Sequence, residues 1–366
     1  MTVTTSDHPS QRPHLAARFE DRLVARQSRL LRRAGWRPRV EPFSGYGTPE
    51  RVRVLARVVL APEGRRTTPV LDTRGFRNFF TAQAPGERVR VDVGSLSVEV
   101  VSDRGGYVDV ELDLPDDAPL APGWQPATVS PVGSPGGSAS SPVLVVDHST
   151  ELGVVSDIDD TTMVTAVPRL LLAAWNTFVR HASARRAVDG MPELYREIAT
   201  TRPDAPFVYV STGAWNTART LRGFLARNGY PAGPLLLTDW GPSNSGWFRS
   251  GVQHKDASLD GLMQAFPHMR WLLIGDDGQH DPDIYARAVK RWPGRVAAVA
   301  IRELTPAQQV LAHGATTPTA TSEEVDRATG AVPSLGAGDG FGLADQLRDA
   351  LPELRSLGAP GAPGLP

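Results

Sequence analysis

Leu152-Gly153-Val154-Val155-Ser156-Asp157-Ile158-Asp159-Asp160-Thr161-Thr162 passes from an apolar run straight into three carboxylates and two hydroxyls. An apolar run of that length, bounded by polar residues, predicts a buried strand. In an open α/β fold such a strand delivers its last residues to the carboxyl edge of a parallel sheet, where ligands bind. Three carboxylates packed so tightly repel one another unless a cation or a shared proton relieves them. The plainer alternative is a solvated acidic turn or a helix cap, because Asp-rich turns are common.

The chain downstream weighs against the plainer alternative. From Leu152 onward, strand-like runs at 207–210, 234–237, 271–274 and 296–301 alternate with helical stretches at 192–200, 217–228, 259–266 and 283–291. Together with the opening strand they predict a five-stranded, mainly parallel α/β sheet with helices on both faces. Three of the later segments also carry chemistry. Val208-Tyr209-Val210-Ser211-Thr212-Gly213-Ala214-Trp215-Asn216 ends a strand in two hydroxyls beside a glycine, and His254-Lys255 places a cation at the opening of a helix. Leu272-Leu273-Ile274-Gly275-Asp276-Asp277-Gly278-Gln279-His280-Asp281 ends a further strand in a second acidic cluster. Taken singly, each reads equally as a cap, a surface lysine or an acidic turn. Their order along the sheet makes coincidence a poor explanation.

Composition narrows the classes. The 366 residues leave room for two domains and tails, and 40% hydrophobic content supports sizeable cores. A net charge of −1 excludes a globally basic nucleic-acid binder, and no nucleic-acid partner is expected. With no cysteine there is no disulfide framework, thiolate nucleophile or Cys-based metal site. No apolar run approaches the roughly 20 residues of a membrane-spanning helix. The start, Thr2 to Pro13, lacks the apolar centre of a secretion signal, so a cytoplasmic location is expected. Of 39 basic residues only Lys255 and Lys290 are lysine, and a lysine retained among arginines suits a site that needs a compact ammonium.

Upstream, residues 1–42 form a basic segment with helical spacing, Leu15, Phe19, Leu23, Leu30 and Leu31 lying among nine arginines and two acids between Arg12 and Arg39. Such a helix fits either peripheral contact with an anionic membrane surface or, the favoured reading, packing on its own protein with a solvated basic face. Residues 43–148 carry short β-rich runs at 51–60, 87–93, 96–101 and 107–114 separated by Gly-containing turns, which predicts a β-sandwich-like domain. The loop at 133–141 lacks the Gly-Lys-Ser/Thr ending of a phosphate loop, and this domain offers no evident chemistry. Residues 149–312 are the α/β domain. Residues 313–366 are a low-complexity tail with a short amphipathic helix near Leu343 to Leu354.

The four segments resemble the motifs of the haloacid-dehalogenase (HAD) superfamily of aspartate-nucleophile phosphohydrolases: DxDxT, a strand-terminal Ser/Thr, a Lys and an acidic loop. Ser156 to Thr161, Tyr209 to Asn216, His254-Lys255 and Gly275 to Tyr285 look like the actin-patch-associated phosphatidate phosphatase family within it. The resemblance covers about 152–304, with an echo at Gly45-Tyr46-Gly47, and departs at Gly213-Ala214-Trp215, where phosphatidate-cleaving members carry Ser-Pro-Trp. It implies a HAD-like (Rossmannoid) sheet and a Mg2+-dependent phosphomonoesterase working through an aspartyl-phosphate, with phosphatidate as substrate. Asp157 would be the nucleophile and Asp159 the acid and base. Mg2+ would be held by Asp157, the main-chain carbonyl of Asp159, and Asp276, with Thr161, Asp277 and Asp281 around them. Ser211, Thr212 and Lys255 would hold the phosphoryl group.

The chemistry explains why these residue types belong together. Phosphate monoesters hydrolyse so slowly that a catalyst must remove on the order of 20 kcal/mol of barrier. A carboxylate nucleophile divides the reaction into two steps. An anion attacking an anion needs a divalent cation between them, and an all-oxygen site suits Mg2+. Asp160, Thr162, Thr212, Trp215, His254 and His280 fit supporting roles better than catalytic ones. Trp215 and the apolar 163–178 stretch fit a lipid-accepting mouth or, more commonly, a buried helix. The spans 162–192, with one helix near 168–179, and 239–254 are too short for a large cap domain, so the site is expected to be open to bulky or surface-bound substrates. A soluble nucleotide, sugar or protein phosphate is the alternative substrate class. A non-catalytic membrane-surface adaptor is the alternative from another class. A signalling receiver is disfavoured because it has no acid two residues beyond its phosphoacceptor.

Overall fold

The structure, a computed structural model, describes residues 3–5, 25–62, 82–164, 186–238, 251–278, 280–313, 330 and 332–354. The expected helical positions 15, 19 and 23, the helix near 168–179 and most of the 239–254 loop lie outside these residues. The chain divides into two compact units, one built on 1–147 together with Ala214–Asn216, the other on His148–Gly213, Thr217–Thr238 and the residues from Gly251 onward.

In the first unit a helix at 25–33 (α1) accompanies twelve strands among the described residues. These are β1 (Val3–Thr5), β2 (Trp36–Pro42), β3 (Gly45–Gly47), β4 (Arg51–Pro62), β5 (Ala82–Gln83) and β6 (Arg88–Val93). They continue with β7 (Leu96–Val101), β8 (Tyr107–Asp113), β9 (Gly123–Gln125), β10 (Ala127–Pro131), β11 (Ala139–Ser140) and β12 (Val143–Val145). One sheet runs β1-β8-β4-β3-β12-β9, with β2 and β5 also paired to β4, and a second runs β11-β10-β6-β7. Strict alternation along β6 and β7 turns Val89, Val91, Val93, Leu96, Val98 and Val100 to one face. That face shares a single apolar cluster with the inward residues of β4 and β8. The Gly-Tyr-Gly sequence of β3 has a packing cause. A Cβ at Gly45 or Gly47 would stand 2.0 or 2.1 Å from a carbonyl oxygen of β4, so only glycine lets the strands approach.

The second unit is a six-stranded sheet: β13 (Leu152–Asp157), β14 (Phe207–Ala214), β15 (Leu235–Thr238), β16 (Arg270–Asp276), β17 (Val296–Arg302) and β18 (Ser334–Ala337). Its order is β15-β14-β13-β16-β17-β18, and β13 pairs in parallel with both β14 and β16. Every residue of β13 is buried, as expected of a central parallel strand. The chain proceeds outward from β13 on one side and then crosses to its other side, so the strand order reverses at β13. That reversal opens a crevice at the strands' carboxyl ends.

The helices are α2 (Met191–Thr201), α3 (Ala218–Arg227), α4 (Gly251–Ala265), α5 (Asp281–Arg291), α6 (Pro306–His313) and α7 (Gly340–Ala350). Three expectations are corrected, the first being the helical segment at 1–42: among its described residues only 25–33 are helical, while Val3–Thr5 and Trp36–Pro42 are strands of the first unit's sheet. The sheet has six strands instead of five, because Ser334–Ala337 pairs in parallel with β17 inside the stretch read as a low-complexity tail. Asp339 then caps α7 by accepting from the Gly342 N–H at 2.9 Å, and Leu343, Leu347 and Leu354 are buried. The helix carrying Lys255 begins at Gly251, not beside His254, and extends well before Leu259. Its first two turns bury Lys255 and Ser258 where a core helix would present apolar residues, which erases the periodicity.

Candidate active site

The site grows from the last residue of β13. Asp157 is 1% exposed, and its Oδ1 lies 2.6 Å from the Lys255 ammonium. On α4, Lys255 precedes Leu259 and Leu262 by four and seven residues, so the cation rides on the helix's buried apolar face. The same ammonium donates to Asp281 Oδ1 at 2.5 Å. Asp281 stands in the first turn of α5, where the helix dipole favours a negative charge, and shares its buried face with Tyr285 and Ala288. Asp276 closes β16; its Oδ1 accepts from the Gly278 N–H at 2.8 Å, and its own N–H points to Asp281 Oδ2 at 3.4 Å. A Cβ at Gly275 would sit 2.5 Å from that Asp281 oxygen, so this glycine is what admits the carboxylate beside the strand.

Asp157, Asp276 and Asp281 thus present oxygens within 4.8 Å of one another, all three buried. Asp281, expected outside the ligand set, stands in the same cluster. Asp159 is half-buried, and its Oδ2 accepts from Ser211 Oγ at 3.0 Å; the Gly213 N–H in turn donates to that Oγ at 2.9 Å. Thr161 Oγ1 reaches Asp276 Oδ2 at 3.5 Å, and Thr212 is half-buried on β14 next to Ser211.

Other candidates serve the backbone. Asp277 turns away from its neighbour to accept from the Leu304 N–H at 2.8 Å and from Gln309 at 3.4 Å. His254 Nε2 lies 3.1 Å from the Leu236 carbonyl, and Thr162 Oγ1 donates to the Ile158 carbonyl at 3.0 Å. His280 occupies the N-cap of α5, and Trp215 clusters with the first unit, its ring 4.2 Å from that of Phe43.

Sequence reasoning passed over two tyrosines that brace the turn after β13. Ser156 Oγ donates to the Asp157 carbonyl at 2.6 Å and accepts from the Tyr195 hydroxyl at 2.6 Å. The Tyr230 hydroxyl donates to the Thr162 carbonyl at 2.8 Å. Tyr195, at a core position of α2, reads simply as core, so its spacing carried no signal of this role.

Three carboxylates face one ammonium, leaving a formal excess of two negative charges in a buried volume. Burial, and then the neighbouring carboxylates, push the Asp157 and Asp276 carboxyls well above the ordinary range, against the pull of Lys255. Burial alone would lower the Lys255 ammonium, but Asp157, Asp281 and Asp276 outweigh it and hold it above its usual value. Asp157 Oδ2 is buried with no hydrogen-bond partner, a costly position for an anionic oxygen. An orphaned oxygen, surplus negative charge and an all-oxygen donor set fit a hard divalent cation.

A stability measurement follows. The folded chain holds protons on Asp157 and Asp276 more tightly than the unfolded chain does. Their contribution is therefore complete below the unfolded carboxylate value of about 4 and is lost as pH rises toward the raised folded values. In chelator the melting temperature should carry that loss, and excess Mg2+ should cancel it, so the gap between the two curves should widen from acid to neutral pH. A gap that stays flat would remove the cation from this site.

Comparison with known families finds this segment similar to a phosphatidate phosphatase catalytic domain, in line with the resemblance its four motifs carry. The matching model is that described as Phosphatidate phosphatase APP1, catalytic domain, over residues 152–303. Phosphatidate phosphatase APP1 of Saccharomyces cerevisiae is 28% identical over 152 residues, covering 41% of this chain and 26% of the yeast protein. The uncharacterized protein C29B5.04c of Schizosaccharomyces pombe is 27% identical over 173 residues, covering 45% of this chain and 27% of its own length. The chain therefore spans about a quarter of these relatives. The HAD domain of the Legionella pneumophila effector Lem4 is 15% identical over 43% of this chain and 88% of its own, with a TM-score of 0.30, too slight a likeness to bear on the fold.

Proposed function

We propose that this protein is a Mg2+-dependent phosphomonoesterase that cleaves phosphatidate to diacylglycerol and inorganic phosphate through an aspartyl-phosphate on Asp157. The observation that carries the reading is the state of Asp157: one oxygen held on Lys255, the other buried, unpaired and beside two further carboxylates. The match of residues 152–303 to the phosphatidate phosphatase model supports the substrate class.

Asp157, Asp276 and Asp281 would hold the cation, which when bound supplies charge neutralisation for an anionic phosphoryl group. An Asp157 oxygen forms the bond to phosphorus while the ester oxygen departs with a proton from Asp159. Asp159, now a carboxylate, takes a proton from the water that attacks the aspartyl-phosphate, and Asp157 is regenerated as phosphate leaves. The hydrogen bond from Ser211 fixes the Asp159 carboxyl for both transfers, and Lys255 stands where charge develops. Replacement of Asp159 by Asn is expected to lower turnover by about 10²- to 10⁴-fold with little change in melting temperature, since this half-buried carboxyl lies outside the acidic cluster.

The deciding experiment compares inorganic phosphate release from phosphatidate vesicles with release from nucleotide, sugar and protein phosphates, with and without Mg2+. Release favouring the lipid and abolished by chelator is expected; preference for soluble esters would replace the substrate. Peripheral contact with a phospholipid surface, from a cytoplasmic location, is part of the same proposal. On α1, Arg26, Arg29, Leu30 and Arg33 are all exposed, a cationic face with an apolar tip. No helix among the described residues is long and apolar enough to cross a membrane.

A further inference from the structure

Arg302 ends β17 and is 4% exposed, an unusual burial for a guanidinium. It lies opposite Asp276 in the β16–β17 register, yet its hydrogen bonds go elsewhere. Nη1 donates to the Asp160 carbonyl at 2.5 Å, Nη2 to Gln308 Oε1 at 3.2 Å and Nε to the Gly338 carbonyl at 3.3 Å. One side chain therefore ties the turn after the nucleophile strand to the start of α6 and to the joint between β18 and α7.

The turn it holds is strained. Asp160 has φ +57°, the left-handed region that non-glycine residues rarely occupy. Its N–H donates to the Met163 carbonyl at 2.9 Å, so the backbone is pinned on both sides of the Asp160 α-carbon. Asp160 also separates the two residues whose side chains must point correctly. Asp159 faces Ser211 on one side, and Thr161 faces Asp276 on the other. Rotation of the Asp160 peptide would move both.

We propose that Arg302 is a positioning residue for phosphoryl transfer: its guanidinium locks the left-handed Asp160 turn so that Asp159 is aimed at the leaving oxygen. The inference rests on the proposed phosphatase activity. A displacement on the order of 1 Å at a reacting group costs about 10²-fold in rate, and that is the scale expected here. Because the hydrogen bonds of the Arg302 side chain go to Asp160, Gln308 and Gly338, not to Lys255 or Ser211, substrate binding should be spared.

The test measures phosphate release from phosphatidate in detergent micelles by wild type, Arg302→Gln and Arg302→Lys, in Mg2+, with melting temperatures recorded alongside. Arg302→Gln should lose about 10²-fold in kcat with KM within about twofold of wild type, and Arg302→Lys, whose ammonium reaches one carbonyl, should recover about tenfold of that. Should the Gln variant fail to fold, Arg302→Lys alone decides: kcat lowered about tenfold at unchanged KM supports the role. A variant that melts lower but keeps wild-type kcat, or one whose loss lies in KM, would show Arg302 to be merely structural and overturn the inference. Absence of turnover in wild type itself would overturn the functional reading and the inference together.

Discussion

Asp157→Asn is expected to abolish phosphate release, by at least about 10⁴-fold, without unfolding the protein. The amide keeps the shape of the side chain at the end of β13 but carries no anionic oxygen to attack phosphorus. Stability should move in the opposite direction. The raised Asp157 carboxyl means that its ionised form is disfavoured by burial and by Asp281 and Asp159 more than Lys255 favours it. In chelator at neutral pH, neutralising that position should leave the melting temperature equal to wild type or higher, and the gain from Mg2+ should shrink. A variant that is inactive yet more stable without metal separates chemistry from folding. Retained turnover, or collapse of the fold in chelator, would remove Asp157 from the proposed role.

Much of this arrangement was legible in the residues because strands that are buried on both faces read as apolar runs. β13, β14, β16 and β17 begin within one residue of where those runs begin, and three of them end in the polar clusters that draw attention. What escaped notice did so for physical reasons. β18 is four half-buried residues, Ser-Leu-Gly-Ala, whose place is set by pairing with β17 and by no pattern of its own. Lys255 and Ser258 on the inward face of α4 hid its first turns. The doublet Asp276-Asp277 looks uniform on paper, yet one carboxylate enters the acidic cluster and the other tethers Leu304 and Gln309. Arg302 is one arginine among many, and only the folded path of β17 past the Asp160 turn gives it a task.

Lys255→Met tests the other half of the charge balance and should have the largest effect on stability. The ammonium is 5% exposed, bridges Asp157 and Asp281 at 2.6 and 2.5 Å, and is the only basic group these two carboxylates pair with among the described residues. Removing one partner of a buried ion pair costs about 3–5 kcal/mol, because the other charge stays buried without compensation. Here three carboxylates are left behind, and protonation or a bound cation would relieve them. The loss should therefore be greatest in chelator near neutral pH, and smaller at acid pH, where carboxyls with raised values already carry protons. Excess Mg2+ should also reduce it. Turnover should remain poor even when the fold is rescued, since no compact cation then offsets charge at the phosphoryl group. Arg in place of Lys is not expected to repair this, because a planar fork needs more room than a point-like ammonium in a small cavity also lined by Leu259 and Tyr285. Wild-type melting in chelator at neutral pH would show that the carboxylates do not depend on Lys255, and the electrostatic account of the site would fall with it.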